Sequence, residues 1–306
     1  MMNKKAVIVT VDTEGDNLWG WKQGERIETE NSKFLKPFQN LCEKYGFFPV
    51  YLTNYEMVMS DAFVEFAKEC VAKNTCEIGM HLHAWNSPPE YSLPNEQYTG
   101  NPYITEYPIE IIREKHRYLK NLIENRIGVS PVSYRAGRWA TSPELFAVLS
   151  ELGFWVDCSV TPGISHKAPG RTVSHANNYL KSPINSYKLR DGLLEVPMST
   201  RCRHTIKGNS LYRRAVNIVR GEQLWLRPAL QTTEQMISLI RMIDRQPTDY
   251  FMFMIHSSEL MPGGNPYCKT QEDINQLLCR LDKAFSFVSG LGGGMMLRDY
   301  YLNHKQ

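Results

Sequence analysis

The chain has 306 residues, 42% hydrophobic and 22% charged, with a formal net charge of +3, a composition that excludes a disordered or fibrous protein and allows one large domain. No basic tract is long enough to track a phosphate backbone, so nucleic acid is not an expected partner, and no stretch approaches the roughly 20 apolar residues of a membrane span. The apolar run at 6–11, after Lys4 and Lys5, is shorter than the roughly 7–15 residues at the centre of a secretory signal, so a cytoplasmic location is the expectation.

Short apolar runs rich in β-branched residues alternate with helical periodicity, the pattern of βα units around a mainly parallel sheet. The spacing predicts strands at 6–11, 48–53, 77–82, 133–135, 154–159, 193–198 and 250–256, and helices at 31–45, 60–73, 109–125, 142–152, 232–245 and 270–288. Ser142-Pro143-Glu144 reads as a capped helix start with proline in the first turn, and Thr270-Gln271-Glu272-Asp273 as a capping box. Seven strands in a single α/β domain suit a barrel-like sheet. Three segments, about 86–107, 160–191 and 201–230, break the repeat and read as loop insertions. The last carries Arg201, Arg203, Arg213, Arg214, Arg220 and Arg227, and is either a solvated connection or a rim for an anionic ligand. The cysteines are odd in number and scattered, which predicts buried, reduced thiols.

In a parallel sheet the carboxyl ends of the strands converge on one face, where such folds place their chemistry. The first strand ends in Asp12-Thr13-Glu14-Gly15-Asp16. Alternation puts Asp12 and Glu14 on one side, where paired carboxylates bind a cation or divide acid and base roles. The third strand ends in His81-Leu82-His83, an arrangement that supplies two nitrogen ligands to zinc or a similar metal and leaves a third position to a carboxylate. The fourth delivers Arg135 and the fifth Asp157. The last, apolar from Tyr250 to Ile255, stops at His256, placed to protonate a leaving group.

The order of these motifs resembles the polysaccharide deacetylase family, carbohydrate esterase family four with its NodB-type barrel, and most of all its WalW-like branch in lipopolysaccharide biosynthesis. The matching segments are Thr10-Val11-Asp12-Thr13-Glu14-Gly15, Gly79-Met80-His81-Leu82-His83, Arg135-Ala136-Gly137-Arg138-Trp139, Gly153-Phe154-Trp155-Val156-Asp157-Cys158-Ser159 and Met254-Ile255-His256, with Leu194-Glu195-Val196-Pro197 as a sixth strand. Two positions depart from the family pattern. Thr13 stands where a second, metal-binding aspartate is usual, and Trp85 where the second histidine is usual.

The resemblance implies a distorted (β/α)7 barrel with Glu14, His81 and His83 around a divalent metal, zinc foremost and cobalt or nickel as alternatives. Asp12 is the rival carboxylate ligand. Amide hydrolysis at such a site would use Asp12 as general base oriented by Arg135, and His256 as general acid kept protonated by a nearby carboxylate, for which Asp157 is a candidate. Trp85 and Trp139, with Trp19 or Trp21, are the expected sugar-stacking faces. The implied activity is hydrolysis of an N-acyl group from an amino sugar, nucleotide-linked or monomeric, in surface-polysaccharide assembly. Two other readings stand beside it: a glycoside hydrolase using two of Asp12, Glu14 and Asp157, and a degenerate barrel that binds sugar without turnover.

Overall fold

A computed structural model describes residues 4–16, 18, 20–22, 24–93, 102–166, 177–204, 210–212 and 221–304. Seven parallel strands form the frame: β1 (Lys5–Thr13), β2 (Pro49–Thr53), β3 (Glu77–Leu82), β4 (Ser133–Ala136), β5 (Val156–Asp157), β7 (Leu193–Glu195) and β10 (Tyr250–His256). They lie side by side in the order β10-β1-β2-β3-β4-β5-β7. The antiparallel strand β6 (Tyr187–Arg190) extends the sheet beyond β7, and β11 (Gly292–Gly294) pairs with β1.

Among the described residues the sheet curls without closing, so the expected barrel is a half-barrel. Instead of a ladder between β7 and β10, the Met252 amide donates to Ser199 Oγ at 2.9 Å and the Met254 amide to the Leu226 carbonyl at 2.9 Å. Ser199 and Leu226 flank a separate two-stranded ribbon, β8 (Thr200–Arg203) and β9 (Glu222–Trp225). Strands thus occupy parts of the segments expected to be loops. The polar and basic composition of β6, β8 and β9 hides them from an apolar-run criterion.

Alternation along the strands divides the apolar residues into two layers. Ile8, Val50, Leu52, Val156, Val196, Met252 and Met254 point into the curl, where Leu297, Tyr300 and Tyr301 of the C-terminal helix (Leu297–His304) plug its lower end. Val7, Val9, Val11, Ile78, Met80 and Leu82 face outward beneath the helices. Each fully buried aliphatic of this kind contributes about 1.5–3 kcal/mol, which makes the strand register costly to slip.

The helices start where the capping residues require. Ser142 Oγ accepts the Leu145 amide at the head of Pro143–Glu151, and Thr270 accepts the Asp273 amide at the head of Gln271–Ser289. Short helices at Tyr55–Met59 and Leu297–His304 add to those expected. Five of the seven cysteines are buried, whereas Cys202 and Cys279 are exposed.

Candidate active site

The residues that follow the inward-facing aliphatics are the polar ones the strand ends were expected to deliver. On β1 the alternation that turns Ala6 and Ile8 inward continues to Asp12 and then to Glu14, just past the strand. On β3 it brings His81 inward and His83 above it; on β4 it brings Arg135. Asp12, Glu14, His81, His83, Arg138, Trp139, Arg227 and His256 all border one cavity of about 450 Å³ at the carboxyl ends of the strands.

Glu14, His81 and His83 meet there. Their ligating atoms lie within 4.8 Å of one another, with His83 Nε2 2.8 Å from Glu14 Oε2, His81 Nε2 3.4 Å from the same oxygen, and the two imidazole Nε2 atoms 3.0 Å apart. His81 Nδ1 lies 2.9 Å from the Arg135 carbonyl. Donation to that oxygen fixes the ring and turns Nε2 into the cluster, as the outer partner of a metal-bound histidine does. Nitrogens bonded to one ion at 2.0–2.1 Å would stand about 2.9–3.4 Å apart, so the donor set fits a borderline-soft divalent cation such as zinc. Gly137 makes room for His83: a Cβ there would lie 2.7 Å from His83 Nδ1 and 2.6 Å from the Leu82 carbonyl.

The electrostatics agree with a cation site. Burial opposes ionisation of Glu14, but hydrogen bonds from His81 and His83 and the charge of His256 hold its carboxyl well below the ordinary range. Burial also opposes a charge on His81, yet Asp12 and Glu14 more than offset it and keep that imidazole above its usual value. His83, buried beside His81, is pushed the other way.

Asp12 stands next to this cluster and is held differently. Its Oδ1 accepts Arg135 Nη1 at 2.5 Å, and the pair is almost fully buried. Arg135 is itself pinned by donating Nε to the Cys158 carbonyl at 3.1 Å. Burial would raise the Asp12 pKa, but Arg135, His81 and His256 outweigh it and keep the carboxylate ionised. Between the two carboxylates considered as ligands, Glu14 therefore sits in the donor cluster, and Asp12 points Oδ2 toward His256 Nε2 at 3.9 Å. Thr13 turns away from both, its hydroxyl donating to the Val11 carbonyl.

His256 faces the cluster from β10, with Nε2 3.8 Å from Glu14 Oε1. Its partner is not the expected Asp157. Glu259, fully buried three residues further on, places Oε1 3.1 Å from His256 Nδ1 and accepts the His256 amide on Oε2 at 3.2 Å. Arg227 donates to the same Glu259 oxygen at 2.9 Å. Burial works against the Glu259 charge, and Arg227 and His256 override it, bringing its pKa down to about 2.

Asp157 fails as that partner because it sits between Val156 and Cys158, both turned into the curl, so alternation sends its side chain to the opposite face. There it accepts Ser159 Oγ at 2.6 Å and interacts with Glu195. It is unavailable as one of a pair of carboxylates flanking a glycosidic bond.

Of the residues the sequence reading left out of the site, Glu259 had a usable signal, the His-x-x-Glu spacing that a single 3-10 turn (Ser257–Leu260) folds back. In the sequence Arg227 stands only as one of several arginines between 201 and 230. Arg203 pairs with Glu222, Arg201 donates to Gln246 and Thr248, and Arg213, Arg214 and Arg220 lie outside the described residues. Of the three described, Arg227 borders the site.

Trp85 and Trp139 both line the cavity. The Trp85 ring lies 4.2 Å from His83 in an edge-on arrangement, and Trp139 stacks 6.0 Å from His166 with Trp225 edge-on at 5.8 Å. Arg138 and Trp139 have φ of 58° and 59°, a left-handed pair that costs a few kcal/mol and is typical of a functional turn. Trp19 lies outside the described residues, and Trp21 borders a neighbouring cavity.

No known family profile and no curated relative matches the sequence. Solved structures do match in shape. A candidate polysaccharide deacetylase from Mycobacterium smegmatis aligns with a TM-score of 0.55 at 14% identity, over 100% of this chain and 92% of that one. The chain has the NodB-type half-barrel of the polysaccharide deacetylases. A 4-alpha-glucanotransferase from Thermococcus litoralis also aligns at 0.55 and 12% identity, over 99% of this chain and 40% of that chain. A candidate cellobiose-phosphate cleavage protein from Enterococcus faecalis V583 aligns at 0.50 and 12%, over 99% of each. Proteins with these different titles share the frame, so the reaction has to be argued from the side chains.

Proposed function

We propose that the protein is a metal-dependent carbohydrate deacetylase, a hydrolase that removes an N-acetyl group from an amino sugar. The observation that carries this reading is the convergence of three elements within one cavity: the Glu14, His81 and His83 donor set, the ionised Asp12 clamped by Arg135, and His256 less than 4 Å from both carboxylates. An amide is a poor electrophile, and its hydrolysis needs a polarised carbonyl, an activated water and a proton for the departing amine. A divalent metal held by Glu14, His81 and His83, zinc being the best fit, supplies the Lewis acidity and lowers the pKa of a water.

This chain's residues supply the rest. Asp12, whose Oδ1 is occupied by Arg135, has Oδ2 to take a proton from the attacking water. His256 delivers its proton from Nε2 to the amine nitrogen, while Glu259 holds Nδ1 and so fixes which nitrogen faces the reaction. Trp85 and Trp139 flank the sugar ring. The motif order extends the proposal to surface-polysaccharide assembly of the WalW-like kind.

The test is elemental analysis of protein purified without chelator or affinity nickel, followed by acetate release from N-acetylated amino sugars. About one divalent ion per chain and metal-dependent acetate release are expected. Absence of bound metal after reconstitution with zinc or cobalt refutes the mechanism. That result would favour the second reading, a sugar-binding barrel without turnover, whose support is Thr13 and Trp85 at positions where the family carries ligands.

A further inference from the structure

Trp139 is not held in the cavity wall by its own backbone. It and Arg138 are non-glycine residues at φ of 59° and 58°, a conformation that persists only where the surrounding structure over-determines it. Within the turn Gly137–Trp139 the closing bond is long, the Ala140 amide reaching the Gly137 carbonyl at 3.4 Å. The restraint comes from a segment about 40 residues further along the chain.

Residues 163–166 and 177–179 run antiparallel, joined by the Gly163 amide to the Tyr179 carbonyl at 2.9 Å, the Tyr179 amide to the Ile164 carbonyl at 2.8 Å and the His166 amide to the Asn177 carbonyl at 2.9 Å. This brace meets the turn at three points. Tyr179, buried at 5% exposure, donates its hydroxyl to the Trp139 carbonyl at 2.7 Å. With its one proton committed there, the same oxygen accepts the Thr141 hydroxyl at 2.8 Å. Asn177 holds Thr141 from both directions, Oδ1 accepting its amide at 2.9 Å and Nδ2 donating to its carbonyl at 2.8 Å. His166, its Nε2 2.8 Å from Thr161 Oγ1, lies nearly parallel to the Trp139 ring at an interplanar angle of 15°. On the catalytic side the Arg135 guanidinium lies 5.2 Å from the centre of that ring, so Trp139 touches the brace, the cavity and the residue that clamps Asp12.

We propose that Tyr179 is a positioning residue for substrate binding: its hydroxyl holds the Trp139 carbonyl and so fixes the ring that flanks the sugar. The inference rests on the proposed reading of the cavity as the site of an N-acetylated sugar. Tyr179 acts through Trp139 and does not border the cavity itself. A wall that meets substrate and transition state alike contributes uniform binding, so its loosening raises KM and leaves kcat nearly unchanged.

The test is Tyr179→Phe, which keeps the ring and deletes the hydroxyl, in zinc-reconstituted protein labelled with fluorotryptophan. The chain has six tryptophans, and Trp139→Phe assigns the fluorine NMR signal of Trp139 among them. Tyr179→Phe should shift or broaden that signal and raise the Kd and KM for N-acetylglucosamine by about three- to tenfold, the effect of one lost hydrogen bond. Metal content should stay the same and kcat within about twofold of native. Tyr300→Phe removes a hydroxyl bonded to Ser186 and Asp249 at the lower end of the curl; it controls for a general loss of stability and should leave the Trp139 signal and the Kd as in the native chain. An unmoved Trp139 signal, an unchanged Kd, a kcat that falls as far as KM rises, the same changes in Tyr300→Phe, or no binding of the sugar to the native protein would each overturn the inference. The two readings fail separately. Sugar binding without acetate release, weakened by Tyr179→Phe, refutes the deacetylase and keeps the role of Tyr179, whereas acetate release with an unchanged KM in Tyr179→Phe refutes that role and keeps the deacetylase.

Discussion

Replacing Arg135 by methionine isolates the clamp on Asp12. Arg135 has no exposed surface, its ion pair with Asp12 spans 2.5 Å, and the sulfurs of Met198 and Met252 lie 3.0 and 3.6 Å from its Nη2, so a methionine enters an already apolar wall. Removing one partner of such a buried pair leaves an uncompensated charge and costs about 3–5 kcal/mol. The loss should depend on pH in a definite sense. In the native chain the Asp12 pKa is lowered, so its stabilisation is present above the unfolded value near 3.9 and fades as pH falls through the folded value. In the variant, burial without the guanidinium raises the carboxyl pKa, and protonation relieves the strain as pH drops. The difference in unfolding free energy, measured by urea titration of tryptophan fluorescence with chelator present, should therefore be largest near pH 8 and shrink by more than about 1.4 kcal/mol by pH 5, one pKa unit of linkage. A loss below about 1 kcal/mol, or one that is flat across this range, would refute the account of the clamp.

Three further outcomes follow from the site. His81→Ala should lower bound metal to a small fraction of one per chain, whereas His256→Ala should leave metal content intact and reduce turnover by about 10²–10⁴-fold; elemental analysis and acetate release distinguish the two. Glu259→Gln should likewise retain metal and lower kcat with little change in KM, since Glu259 touches His256 and Arg227, and an unchanged kcat would remove it from the mechanism. Away from the mouth, burial raises the carboxyl pKa values of Asp157 and Glu195, and the neighbouring Asp157 raises that of Glu195 further, so the folded state retains a proton that the unfolded state releases above about pH 4. Stability should fall as pH rises through the folded values, and Glu195→Gln should flatten that slope in urea titrations from pH 5 to 9.

Much of the site was legible in the order of residues because strand alternation is a local property. Once β1, β3 and β4 are recognised as strands, a period of two places Asp12 with Glu14 and His81 with His83, and the convergence of parallel strand ends brings Arg135 and His256 to the same rim. The helices were equally readable, since capping at Ser142 and Thr270 is decided within four residues.

The tertiary structure decided what depends on how far the sheet curls and which way a turn folds. The open edge between β7 and β10 is bridged by single hydrogen bonds to Ser199 and Leu226, contacts between segments about 50 and 30 residues apart in sequence that no local pattern encodes. The same alternation that brings Glu14, His81 and His83 together, applied to the two-residue strand β5, sends Asp157 away from His256, and the carboxylate beside His256 is Glu259 instead. Which carboxylate meets the histidines likewise depends on distant contacts: Arg135, 123 residues from Asp12 in sequence, pairs with Asp12, whereas Glu14 lies against His81 and His83.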